Sequence, residues 1–171
     1  MRQTIGGSWV FMLVMVFTLL FAAYIALTIN YSKSFNVKNE VLGIIEKSEG
    51  MTDEGIGLIN NYLNQAGYKT TGKCTLDTSD NSIGTFGVKT LDVESPVIER
   101  ISNDNGNQEY YYCFTKFANY HNYFKKRGYY KISLFFRFDI PVLGRIGVFN
   151  VDGQTSEIDA TYDGDKLDGI N

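Results

Sequence analysis

Several residue types are scarce in this chain. Its 171 residues include two cysteines, two prolines, one histidine and one tryptophan. Two cysteines are too few for a disulfide scaffold and lack the spacing of a zinc site. The one histidine, His121, has no serine or cysteine beside it in an activating pattern, so it reads as a surface residue rather than a general base. Basic residues are not in excess: the net charge is −3, which argues against a nucleic-acid partner. The basic stretch Lys125-Lys126-Arg127-Gly128 reads as a solvated loop before a strand. Asp159, Asp163, Asp165 and Asp168 are numerous enough for calcium. EF-hand spacing fails, because position 167 is leucine and no bidentate glutamate follows. No catalytic motif is present, so the chain reads as a non-enzyme with no metal and no cofactor.

Apolar sequence without charge is present in quantity. Ser8 to Ile29 is a run of 22 residues with no charged member. As a helix it would be about 33 Å long, against a hydrocarbon core of about 30 Å. Trp9 near one end and Tyr24 and Tyr31 near the other suit an aromatic belt. Its polar members, Ser8, Thr18 and Thr28, can return hydroxyl bonds to helix carbonyls. The alternative is a secretory signal peptide, with Phe21-Ala22-Ala23-Tyr24 as an imitation cleavage site. The apolar run continues beyond that stretch through Ile25, Leu27 and Ile29.

No proline occurs before Pro96, so the helix is expected to continue past the bilayer to about Ser48. Phe35, Val41, Leu42 and Ile45 recur at helical spacing and form the expected packing stripe. Gly43 is a candidate kink. Ala22 and Ala26, four residues apart, share a face that permits close approach of another helix. A second helix is expected after Thr52 as N-cap, with Asp53 and Glu54 in its first turn and Gly67 at its end.

After Tyr68 the period changes from helix to strand. Tyr130, Ile132, Leu134, Phe136, Phe138 and Ile140 alternate with Lys131, Ser133, Arg137 and Asp139, a half-buried strand with one wet face ended by Pro141. Weaker strands are expected over 86–93, 97–102 and 109–118. Asn105-Gly106 and Asp152-Gly153 read as turns, the second joining strands 146–151 and 154–162. Thirteen of the 25 aromatic residues lie between Glu109 and Phe138. Cross-strand ring packing accounts for them more simply than a sugar- or base-stacking platform does. If the body lies outside the cytoplasm, Cys74 and Cys113 are expected to pair. The charge count around the apolar run, Arg2 against Lys33, Lys38 and Lys47, favours the opposite orientation. The cysteines and the tyrosine-rich body favour the outside, and that orientation is adopted.

The expectation is an α+β protein in four parts. Residues 1–7 form a short cytoplasmic segment, 8–29 a transmembrane helix and 30–48 its amphipathic continuation. Residues 49–171 form an extracytoplasmic domain of antiparallel sheet with one further helix. This plan resembles that of type IV pilin-like proteins. Gly6-Gly7 stands directly before Ser8-Trp9-Val10-Phe11, and the segment from Tyr130 to Gly144 with Ile146 to Glu157 looks like the end of minor pilin-like proteins of the Tad (tight adherence) system of Gram-positive bacteria. The resemblance implies leader cleavage between Gly7 and Ser8, and partners among the lipid bilayer, other pilin-like subunits and assembly-platform membrane proteins. The glutamate usual five residues after the cleavage site is replaced by Met12, or by Phe11 counting from Gly6, which implies a minor or initiating subunit or else a plain uncleaved anchor. The alternative function is an anchored module whose aromatic sheet holds a sugar, peptide or DNA.

Overall fold

A computed structural model describes residues 2–102, 107–119, 127–140 and 144–158. Side chains are described for fewer: those of 2–6, 118–119, 127, 138–140 and 144–146 are not. The fold is α+β, with one long helix, a second shorter one and antiparallel sheets.

Helix α1 runs Arg2–Lys47, 46 residues and about 69 Å. Within the apolar run, Thr18 donates its hydroxyl to the Val14 carbonyl and Thr28 to that of Tyr24, at 2.8 and 2.9 Å. Both threonine hydroxyls of the run are thus satisfied within the helix itself. Gly43 causes no break, because packing on both sides of it holds the helix. The end comes at Ser48–Gly50. Glu49 and Gly50 take φ of 52° and 133°, and the Gly50 N–H bonds back to the Ile45 carbonyl at 3.0 Å. Gly50 also lies under the Tyr130 ring, where a Cβ would come within 3.1 Å of the hydroxyl.

Helix α2 runs Asp53–Gln65. Thr52 caps it, accepting the Gly55 N–H at 3.0 Å. Its other end is a Schellman motif, with the Tyr68 N–H on the Leu63 carbonyl and the Gly67 N–H on that of Asn64. Gly67 has φ of 70°, the left-handed conformation this motif requires.

Seven strands follow: β1 (Gly72–Lys73), β2 (Ser82–Val88), β3 (Ile98–Arg100), β4 (Glu109–Tyr110), β5 (Tyr112–Asn119), β6 (Arg127–Ile140) and β7 (Gly144–Gln154). The main sheet has the order β3-β2-β5-β6-β7, and β1 and β4 form a separate pair. All pairings are antiparallel. Val41, Ile45, Ile56, Ile59 and Leu63 of the helices pack on Val88, Tyr112, Phe114, Ile132 and Leu134 of the sheet. This core is one face of the sheet against the helix pair, and alternation along β5 and β6 produces that face.

Several expectations are corrected. The helical segment begins at Arg2 rather than Ser8. Phe35 is 44% exposed and lies off the packing stripe, which runs Ser34, Val37, Val41, Ile45. The Phe35 ring instead carries the Lys38 ammonium 4.1 Å from its centroid. Asp152-Gly153 is not a turn: β7 passes straight through it, pairing Asp152 with Ser133 and Gly153 with Ile132. Glycine is needed at 153 because Leu42 and Lys38 press on that position, where a Cβ would lie 2.8 Å from Leu42 Cδ1. Strand 154–162 reduces to a bridge between Ile158 and Gly128 within the described residues. The 109–118 strand is divided at Tyr111, where the chain changes from the small sheet to the large one. The opposite face of β6 is not wholly wet, since Phe135 is buried there beside Cys74, Cys113, Ile101 and Tyr110. The turn at Asn105-Gly106, Pro141, His121, Lys125, Lys126 and the aspartates from Asp159 onward lie outside the described residues.

Candidate membrane and assembly surfaces

The first of these surfaces is the amino-terminal half of α1. From Gly7 the helix is long and apolar enough to cross a membrane, and its most hydrophobic window is nowhere buried against the rest of the chain. Trp9, Phe11, Met12, Leu13, Phe17, Leu20 and Phe21 are all exposed. Core helices of water-soluble proteins bury such residues, whereas among the described residues this stretch packs on no other part of the chain. Ala22 and Ala26 lie on this part of the helix, four residues apart, the first exposed and the second half-buried. Gly7 and Ser8 are exposed and within helix.

The second half of α1 does the opposite. Val41 and Ile45 are fully buried and Leu42 half-buried against the domain. Ser34 is buried too, its hydroxyl satisfied by the Asn30 carbonyl at 2.9 Å. Lower on the helix the link is polar: the Glu46 carboxylate accepts both the N–H and the hydroxyl of Ser156 at 2.8 Å. Those bonds, the backbone one foremost, hold the Glu46 carboxyl below the usual carboxylate range.

Cys74 and Cys113 form a disulfide, with Cα atoms 5.8 Å apart. It fastens the segment after β1 to the outer face of β5. Further contacts hold the same segment. Gly72 lies flat under the Phe135 ring, Lys131 reaches Asp77 at 3.6 Å, and the Asp77 N–H meets the Thr85 hydroxyl at 3.3 Å. The cover over Phe135 therefore depends on this crossing segment.

The aromatic residues of the sheet serve packing. Tyr110, Tyr112, Phe114, Phe117, Tyr130 and Phe135 are buried. Phe86 stacks on Phe114 at 5.3 Å and Phe117 on Tyr129 at 4.7 Å. Two buried hydroxyls carry structural bonds that the sequence reading did not foresee. Tyr112 donates to Asn60 Oδ1 at 3.0 Å, while Asn60 Nδ2 donates to the Asp92 carbonyl at 2.7 Å. Tyr68 donates to the Tyr111 carbonyl at 2.9 Å and accepts the Phe135 N–H at 2.6 Å. Burial raises both tyrosine pKa values well above the usual range. A tyrosine directly after a helix-ending glycine was the one signal available for Tyr68. Nothing local marks Asn60, whose partner lies 52 residues away.

Among the described residues no three His, Cys, Asp or Glu side chains gather as a metal site, and no buried side-chain nitrogen or oxygen lacks a partner. No protein-family model, no curated protein and no solved structure matches the chain.

Proposed function

We propose that the protein is a single-pass, membrane-anchored structural subunit of pilin-like type that takes part in assembling a bacterial surface filament or secretion apparatus. In this reading the amino-terminus is cytoplasmic and the domain is extracytoplasmic. The observation that supports it most is the division of labour along α1. One unbroken helix offers an exposed apolar half to a bilayer or to neighbouring helices, and its other half is built into the core of the domain. A force on the helix is therefore transmitted to the sheet without a flexible linker. The resemblance to minor pilin-like subunits of the Tad system, carried by Gly6-Gly7 and the segment from Tyr130 to Glu157, supports the same reading.

A ligand-holding aromatic sheet is less well supported, because its rings are spent on the core and on cross-strand stacks. The deciding experiment replaces residues 8–29 with an unrelated spanning helix. Insertion should persist, while co-purification with other pilin-like subunits should be lost. Unchanged recovery of partners would reduce α1 to a plain anchor.

A further inference from the structure

Contacts between α1 and the rest of the domain fix which end of the sheet lies nearest the apolar run. Ser156 meets Glu46, and Gly153 meets Leu42 and Lys38. Three residues of extended chain span about 10 Å, and the matching stretch of helix spans about 9 Å. The end of β7 therefore runs nearly parallel to α1, and tracing β7 back toward Gly144 leads toward the amino-terminal half of the helix. Helix α2 gives the same direction independently. At its start, Gly55 lies against Ser48 and Gly50. Near its end, Tyr62 and Ala66 line an open cleft with Thr28, Ile29, Lys33 and Asn36 of α1. Just beyond, Tyr68 binds the Phe135 N–H and packs edge-on to Phe136 at 5.6 Å. Phe135 and Phe136 thus lie level with the end of the uncharged run at Ile29.

Past this level β6 and β7 continue as a two-stranded ribbon, paired as far as Ile140 with Gly144. Among the described residues β5 has no partner for β6 beyond Leu134. Four further residues, past a register shift between Arg137 and Phe138, add about 13 Å to the ribbon. Its described side chains are mixed. Phe149, opposite Phe136, and Val148, opposite Arg137, are each 43% exposed. Arg137 is exposed, as are Lys69 after α2 and Lys33 on α1. Asp139 is matched in register by Arg145. An exposed ring and an exposed valine beside cations at this height are the composition of a surface at the lipid headgroups. The open edges of the ribbon hold it to that depth, because unpaired backbone groups are not tolerated in hydrocarbon.

We propose that the β6–β7 ribbon, with Lys69 beside it, seats on anionic lipid headgroups and forms a second membrane contact next to the α1 span. The inference rests on reading α1 as a membrane span, and its test separates the two. The full-length protein is placed in bilayers containing anionic lipid brominated near the headgroup, and tryptophan quenching is measured. The natural chain reports on the span through Trp9. A Trp9→Phe background then carries Phe149→Trp, Val148→Trp or, as a control on the crossing segment, Leu76→Trp. Formation of the Cys74–Cys113 bond verifies folding of each variant, and Val148→Trp serves if Phe149→Trp does not fold. The ribbon tryptophans should be quenched to an extent comparable with Trp9, and Leu76→Trp should not. Adding Arg137→Glu and Lys69→Glu should reduce ribbon quenching in anionic bilayers and leave it unchanged in zwitterionic ones. Quenching of Trp9 with ribbon tryptophans no different from Leu76→Trp would overturn the inference alone. So would ribbon emission that responds to protein density but not to bromine, which would mark contact between copies. An unquenched Trp9 would overturn the span and the inference together.

Discussion

Tyr68 and Glu46 show how single side chains join parts of the chain that lie far apart. At the point where β6 runs out of its β5 partner, the Phe135 N–H has no strand to bond, and the Tyr68 hydroxyl supplies the acceptor. Tyr68→Phe leaves a buried N–H and the Tyr111 carbonyl without this partner. It should destabilise the domain by about 1–3 kcal/mol in urea denaturation. Glu46 behaves differently, because it is exposed. Its pKa is lowered in the folded state, so its contribution is present above the unfolded carboxylate pKa and is lost as pH falls through the folded value. Protection of the Ser156 amide from hydrogen exchange, read by NMR, should fall on acidification, and Glu46→Gln should abolish that dependence. Neither residue could be assigned from sequence. Tyrosine after Gly67 was visible, but its acceptor and donor roles depend on Tyr111 and Phe135, 43 and 67 residues away.

Among the elements, the segment crossing the outer face of the sheet depends most on covalent support. The disulfide spans a sequence separation of 39 residues. Closing a loop of that size stabilises the fold by about 4 kcal/mol on the chain-entropy model. Mass spectrometry without reductant should find the Cys74 and Cys113 peptides linked, and reduction should lower the melting temperature. Strand β2, between β3 and β5, has its own constraint. The Tyr110 ring lies on Gly87, where a Cβ would come within 2.4 Å of the ring. Gly87→Ala should cost about 1–3 kcal/mol through forced movement of a fully buried ring, measurable by the same denaturation. The pairing of the cysteines was expected from the compartment reading, but the element it fastens was not. Gly153 was misread as a turn for a related reason. A glycine that permits close approach of a helix has the same local appearance as one that permits a reversal.

At the scale of the whole molecule, the apolar half of α1 is left without a partner among the described residues, and membranes are the expected partner. The full-length protein should fractionate with membranes and resist carbonate extraction, whereas a chain beginning at Asn30 should be soluble. Recovery of the full-length protein in the soluble fraction would contradict this. The buried tyrosines set a second limit. Their raised pKa values stabilise the fold fully below the unfolded tyrosine pKa near 10, and this stability is lost as pH rises toward the folded values. Unfolding by alkali should therefore coincide with tyrosinate absorbance. Finally, Ala22→Leu with Ala26→Leu keeps the helix apolar, so insertion should survive while recovery of partner subunits falls. If recovery is unchanged, this face does not mediate assembly.

The sequence by itself determined the features that rest on near neighbours in the chain. The uncharged run, the unbroken helix after it, the Thr52 cap, the Gly67 stop and the alternation along β6 are all written within a few residues, at the periods of helix and strand. Tertiary structure alone decided which side of α1 faces the domain. Phe35 and Val37 are nearly equivalent in local pattern, yet only Val37 meets the core, because the helix axis is set by Val41 and Ile45 against the sheet. It also decided that β7 runs straight through Gly153, that Phe135 is buried on the second face of β6, and that Asn60 and Tyr68 are polar ties rather than surface groups. Each of these depends on contacts between residues distant in the chain, and local periodicity carries no information about which distant partner will arrive.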